Sequence, residues 1–276
     1  METLDNMFVS NWSNVRSSVP PSYIQPIENR PGNVISSSCK AIPVIDFGGH
    51  DRDYIAKYIL KASEEFGFFQ VSKITTTSLS HSLYIFRMLL ISEVVGKYTQ
   101  ELRKLGLKIL ELLCEGIGLD QEYFCGELVE NPALTAHHYP PCPNPSLTLG
   151  VVKHRDPSII TILLQDEKVH GLQVHKDGEW IEVEPIPNAF VVNIGLLLQI
   201  ISNGRLIGAE HRVVTNSSTP RTSVAYFIYP SPESIIEPSK DLVNENNAPI
   251  YKSMTFGEFR MNFFNKGANI EAELLS

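Results

Sequence analysis

Hydrophobic and polar positions along this chain fall into distinct textures. Ala41 to Phe47 (AIPVIDF) is a short apolar run with a proline near its start, and it reads as a buried strand. Ile55, Ile59, Ala62 and Phe66 then recur at one-turn spacing, with Asp51 ahead of them and Gly67 behind. That pattern predicts a capped helix, followed by a second strand over Phe68–Val71. Between Ser72 and Ser92 the signal is weaker: Thr75–Ser78 reads as loop, and Leu83–Ile91 fits helix or strand. Leu102, Leu105, Ile109, Leu112 and Leu113 share one face, which predicts a helix from Tyr98 to Ile117, stopped by Gly116 and Gly118. From Leu134 onward the pattern turns to short β-rich runs with turn signals between them: Leu147–His154, Ser158–Leu164, Gly171–His175, Trp180–Glu184, Ala189–Ile194, His211–Val214 and Thr222–Tyr229. Asp177-Gly178 and Asn203-Gly204 are hairpin signals. Thr255–Phe264 looks helical again. The sum is a mainly β fold with flanking helices and a sandwich or jelly-roll core.

Composition narrows the function classes. The 276 residues are ample for a large core, and 43% hydrophobic against 20% charged excludes wholesale disorder. Residues 1–40, rich in Ser, Pro and Asn, read as an arm that drapes over the body or is partly disordered. The net charge of -8 without a basic run argues against a nucleic-acid or anionic-membrane partner. No window is apolar enough to span a bilayer; Leu83–Ile91 is short and contains Arg87. The first residues, Met1 to Asp5, lack the basic and apolar regions of a secretion signal. Cys39, Cys114, Cys125 and Cys142 form no CxxC pattern. The expected setting is therefore reducing and cytoplasmic.

The chemistry concentrates at His154-Arg155-Asp156. Residues i and i+2 of a strand share a face, so His154 and Asp156 can reach one metal while Arg155 points away. His211 opens another β run. Two His and one carboxylate leave metal positions open, the donor set of non-haem Fe(II) oxygenases and equally of hydrolytic zinc. Arg221 and Ser223 form a further i, i+2 pair on a strand. A guanidinium matches a carboxylate bidentately, so this pair can hold the far end of a dicarboxylate whose near end chelates the metal. A zinc hydrolase would leave Arg221 and Ser223 without a purpose.

This motif set, HxD, then His211, then RxS at Arg221, resembles the plant 2-oxoglutarate- and Fe(II)-dependent dioxygenases. Tyr139-Pro140-Pro141-Cys142-Pro143 is similar to the family's YPPCP stretch. Ile42–Asp46, Phe66–Val71, Lys153–Ser158, Gly171–Val174, Ala189–Gly195 and Glu210–Val213 are similar too. The arm Phe8–Ser13 and Leu196 resemble the hyoscyamine 6-dioxygenase-like branch. The resemblance implies a double-stranded β-helix core, with His154, Asp156 and His211 as Fe(II) ligands. Arg221 and Ser223 would hold the distal carboxylate of 2-oxoglutarate, and Tyr139 would also contact this cosubstrate. It further implies O2 as co-reactant and ascorbate as reductant. The implied reaction is oxidation, in the first place hydroxylation, of a small specialised metabolite such as an alkaloid, with release of succinate and CO2.

Two positions depart from that pattern. The residues before Tyr139 are His137 and His138, where the family carries Asn-Tyr; both read as structural rather than ligating. After Val71, a block of the family pattern is missing before the helix that starts near Tyr98. The expected layout is an arm (1–40), a shortened N-terminal region (41–96) and a jelly-roll domain with its leading and trailing helices (97–276). A truncated, inactive paralogue that retains metal or cosubstrate binding is the alternative function. Loss of the block should expose apolar barrel surface.

Overall fold

The computed structural model describes residues 18–31, 42–74, 92–267 and 270–276. The expectations for Thr75–Ser78, Leu83–Ile91 and the arm before Ser18 lie outside the described residues.

Strand β1 (Val44–Asp46) pairs in parallel with β2 (Phe68–Ser72), and helix α1 (Arg52–Glu65) joins them. Asp51 caps α1 by accepting the Tyr54 N–H at 2.8 Å. Ile55, Ala56, Ile59 and Ala62 form its buried stripe. Gly67 ends the turn at φ +66°, and a Cβ there would come within 2.1 Å of the Ile207 carbonyl oxygen. Only glycine fits that approach. The β1 expectation needs a correction. It is an edge strand, not a buried one, and its Val44 is half exposed.

Helix α2 (Ser92–Ile117) begins ahead of the expected Tyr98. It buries Leu102, Leu105, Ile109, Leu112 and Leu113 against the sheet and against α1. Arg52 of α1 reaches Glu111 and Glu115 of α2, at 2.8 Å each.

The β-rich half forms β3 (Ala133–Tyr139), β4 (Leu149–His154), β5 (Ile160–Gln165), β6 (Leu172–Lys176), β7 (Glu179–Glu182), β8 (Phe190–Ile194), β9 (His211–Val214) and β10 (Arg221–Ile228). Together with β1 and β2 these strands build a jelly roll. One sheet has the order β1-β2-β8-β5-β10-β3, and the facing sheet has β4-β9-β6-β7. Apart from β1–β2, the pairs are antiparallel. Two cores result. Phe68, Leu163, Leu172, Val174, Val191 and Val213 fill the space between the sheets. The other face of the larger sheet packs on the helices.

Asp177-Gly178 turns β6 into β7 with both φ angles positive, the two-residue hairpin its sequence predicts. Asn203-Gly204 does not. It closes helix α3 (Leu196–Ile201), with the Gly204 N–H on the Gln199 carbonyl at 2.8 Å. Positive φ serves a helix terminus as well as a hairpin. A short pair, β11 (Ile235–Ile236) with β12 (Met254–Thr255), precedes α4 (Phe256–Lys266), which carries a capping box between Thr255 and Glu258. Helix α5 (Glu271–Leu274) closes the chain. Of the arm, residues 18–31 lie on the body: Val19 packs with Cys142, and the Gln25 N–H donates to the Leu147 carbonyl.

Candidate metal and cosubstrate centre

His154 ends β4 and His211 begins β9, and the two are direct partners in the antiparallel register. Their rings lie 4.2 Å apart, centroid to centroid. The His154 Nδ1–H donates to the Val152 carbonyl at 2.9 Å, and the His211 Nδ1–H to the Ala209 carbonyl at 3.1 Å. A carbonyl only accepts, so these bonds place the proton on Nδ1 and leave each Nε2 lone pair free. Both Nε2 atoms lie 3.5 Å from Oδ1 of Asp156. Oδ2 of the same carboxylate accepts from Thr161 Oγ1 at 2.6 Å and from Asn193 Nδ2 at 3.1 Å. One oxygen is held and the other is presented.

Three ligand atoms thus converge within 4.8 Å of one another. Asp156 and His211 are buried; His154 is partly open. Burial pushes the Asp156 carboxyl up, but His211 and His154 outweigh it and hold the carboxyl well below the usual range. Burial lowers His154, and Asp156 more than reverses this. A carboxylate and two imidazole lone pairs aimed at one point form a cation site, and the donors suit Fe(II) or Zn(II). Arg155 turns away and pairs with Glu271, as the alternation requires.

The expected carboxylate cradle lies on the inward row of β10, Arg221, Ser223, Ala225 and Phe227. Arg221 is 2% exposed. Its Nη2 reaches Gln165 Oε1 at 3.4 Å, while Nε and Nη1 have no hydrogen-bond partner. Burial lowers its pKa, partly offset by Tyr139, whose ring lies 5.4 Å from the guanidinium carbon. Tyr139 faces Arg221 across the β3–β10 register, and Gly150 packs on its ring so closely that a Cβ would come within 2.7 Å. Among the described residues no carboxylate pairs with Arg221. A buried guanidinium with two unpartnered donors suits an anion. The dicarboxylate 2-oxoglutarate fits that requirement.

β3 also brings His137 into this chamber. It sits opposite Ser223, on the same face as Tyr139, whereas His138 points outward to Thr222. A cavity of about 360 Å³ is lined by His137 and Tyr139 of β3 together with Thr148, Gly150 and Thr215. Sequence reading passed over Thr161, Gln165 and Asn193. Their signal was present: each is a polar residue inside an otherwise apolar buried strand.

The chain matches the 2OG-Fe(II) oxygenase superfamily over residues 130–230. It is 33% identical to Protein DOWNY MILDEW RESISTANCE 6 of Arabidopsis thaliana over 320 residues, covering 92% of this chain and 94% of that one. The chain belongs to the 2OG-Fe(II) oxygenase family of plant dioxygenases. Its metal is Fe(II) and its cosubstrate 2-oxoglutarate. Hyoscyamine 6-dioxygenase of Hyoscyamus niger is 47% identical over 169 residues, a match that spans 60% of this chain and 48% of the relative. The likeness to that branch is thus high but confined to about half of the relative's length. The crystal structure of JOX2 in complex with 2OG, Fe and JA superposes with a TM-score of 0.85 at 31% identity, over 97% of each chain. The 320 aligned residues of the first relative exceed the 276 of this oxygenase. Part of that relative therefore has no counterpart here. No helix of the described residues is long and apolar enough to cross a membrane.

Proposed function

We propose that this oxygenase oxidises a small specialised metabolite, hydroxylation being the first outcome to test. Succinate and CO2 leave as the products of the cosubstrate. His154 and His211 bind the iron through Nε2 and Asp156 through Oδ1. Arg221 and Ser223 hold the distal carboxylate of 2-oxoglutarate, with Tyr139 beside it. The observation that carries this reading is Arg221, a buried guanidinium with two unpartnered donors in the same barrel as the three converging ligand atoms. Iron chelated by a 2-oxo acid supplies the oxidising chemistry when bound. The chain's own residues orient and shield it. Thr161 and Asn193 fix Asp156, and the apolar wall of Leu163, Leu172, Val174 and Val213 keeps water from the barrel interior. An alkaloid is the substrate class suggested by the hyoscyamine 6-dioxygenase likeness, ascorbate is the reductant, and the setting is cytoplasmic. The division into arm (1–40), shortened N-terminal region (41–96) and jelly-roll domain (97–276) belongs to the same reading.

The test is anaerobic addition of Fe(II) and then 2-oxoglutarate to metal-free protein. A visible metal-to-ligand charge-transfer band is expected, weakened in Arg221→Ala. No band in folded protein would overturn the assignment.

A second reading, a binding protein without turnover, is favoured by the apolar surface that stays open. Val152 on β4 is 50% exposed, and Met261 and Phe264 on α4 are 68% and 69% exposed. Succinate formation stimulated by a candidate substrate separates the two readings, because only a working oxygenase shows it.

A further inference from the structure

Arg155 stands between two of the three ligands, and its ion pair with Glu271 has no task in the scheme above. β4 ends at His154, so Arg155 and Asp156 lie beyond its last residue, after an irregularity in the β4–β9 register between Val151 and His154. The Asp156 carbonyl accepts the Leu196 N–H at 2.9 Å, and the Arg155 side chain reaches Glu271 of α5. α5 is itself fixed to the body. Ile270 and Leu274 are buried in the helix-side core. The Lys252 N–H donates to the Leu274 carbonyl at 2.9 Å, and the Ser276 N–H to the Ile250 carbonyl at 3.0 Å. Glu271 is thus presented from an anchored turn. The same segment also reaches toward the third ligand. Leu275 bridges to Tyr251, the Tyr251 hydroxyl accepts from Gln199 Nε2 at 2.9 Å, and Gln199 Oε1 accepts the Gly208 N–H at 2.7 Å. Gly208 precedes Ala209, whose carbonyl orients the His211 ring.

We infer that the C-terminal segment Glu271–Ser276 clamps the metal centre, with Arg155 and Glu271 as its positioning residues: their ion pair holds the end of β4 so that His154 and Asp156 keep their ligating spacing. The inference rests on the assignment of His154, Asp156 and His211 as the metal ligands. Both partners of the pair are partly exposed, so its own contribution to folding is small. Its effect is on the two ligands that flank Arg155. A contact that orients ligands typically changes metal affinity about 10–100-fold, and a pair open to solvent falls at the lower end. A clamp differs from a charge effect in sign. Arg155 is a cation beside a cation site, so electrostatics alone tighten the metal when that charge is reversed. The clamp loosens it.

The experiment is anaerobic calorimetric titration of the metal-free full chain with Fe(II), in wild type, Arg155→Glu, Glu271→Arg and the variant carrying both changes. Thermal unfolding is measured on each. Each single variant places like charges together and should bind Fe(II) about tenfold more weakly, with little change in the unfolding midpoint. The double variant restores the pair with its charges exchanged, and should return to within about threefold of wild type, half of that loss on a logarithmic scale. Wild-type affinity in the folded single variants, tighter binding in Arg155→Glu, or a double variant no better than the singles overturns the inference while leaving the ligand assignment intact. No Fe(II) binding in wild type overturns both.

A measurement on wild type keeps the test decisive if a variant does not fold. Coupling between two sites is reciprocal, so a segment that tightens the metal is itself tightened by it. Amide hydrogen exchange is followed at Lys252 and Ser276, whose N–H groups hold the segment down, in metal-free and Zn(II)-saturated protein. Zn(II) suits the same donors without redox chemistry. Exchange at both amides should slow about tenfold on metal binding, the same factor by reciprocity, while the Tyr54 N–H at the start of α1 keeps its rate. Equal rates with and without Zn(II), or the same slowing at Tyr54, overturns the inference.

Discussion

His154 and His211 are direct partners across β4 and β9, and each anchors its Nδ1 on the carbonyl two residues before it. The same backbone device, repeated on two strands, turns both Nε2 atoms toward Oδ1 of Asp156. The rings are held by main chain, but the carboxylate is held by two side chains, Thr161 and Asn193. The carboxylate is therefore the part of the centre most sensitive to substitution around it. Asn193→Ala and Thr161→Val should each weaken Fe(II) about 10–100-fold without removing a ligand, the usual cost of losing a supporting contact. Calorimetric Fe(II) titration checks this, and wild-type affinity in both variants would contradict it.

Arg221 should behave as a residue kept for binding at a cost in stability. Its guanidinium is buried with two donors unpaired. Replacing it by Met, of comparable length and apolar, should stabilise the cosubstrate-free protein by about 1–4 kcal/mol and abolish 2-oxoglutarate binding. Arg221→Lys should also bind poorly, because an ammonium cannot reproduce the bidentate fork. Denaturant unfolding read beside cosubstrate titration tests both, and a less stable Arg221→Met would show that the guanidinium has a structural partner.

Gly67 joins α1 to β2 at φ +66°, against the Ile207 carbonyl. Gly67→Ala should destabilise the fold by about 1–3 kcal/mol or more, since both the dihedral and the space oppose a Cβ. Thermal unfolding without ligand measures it, and an unchanged midpoint would contradict the packing described.

Burial pushes the Cys114 thiol up to about 12, while Cys125 is exposed. A raised thiol pKa favours the neutral form in the folded state, so this stabilisation is complete below the ordinary thiol range and is lost as pH rises toward 12. A thiolate-directed reagent at pH 8 should therefore label Cys125 in the native protein and Cys114 only after denaturation. Labelling of native Cys114 at the same rate as Cys125 would contradict the burial.

Much of this architecture was legible because alternation is local. The i, i+2 spacing put His154 with Asp156 and Arg221 with Ser223 before any pairing was known. β3 was not legible as a strand. Ala133–Tyr139 (ALTAHHY) is an edge strand bonded on one side only, and its half-exposed small and polar residues show no apolar period. The placement of His137 opposite Ser223 depended on that strand's register with β10, a relation between segments far apart in the chain. α3 was hidden for the opposite reason. Leu196–Ile201 is apolar nearly all round and buried, so it has no helical stripe. Asn203-Gly204 misled because positive φ is shared by hairpin turns and helix ends.

The central claim is that the three converging ligands and the Arg221 cradle act as one centre. Anaerobic calorimetry of metal-free protein tests it most directly, with Fe(II) and 2-oxoglutarate added in either order to wild type and Asp156→Ala. The account predicts one Fe(II) per chain, one 2-oxoglutarate bound tightly only after the metal, and loss of both in the variant. Tight 2-oxoglutarate binding that ignores the metal and survives Asp156→Ala would contradict it.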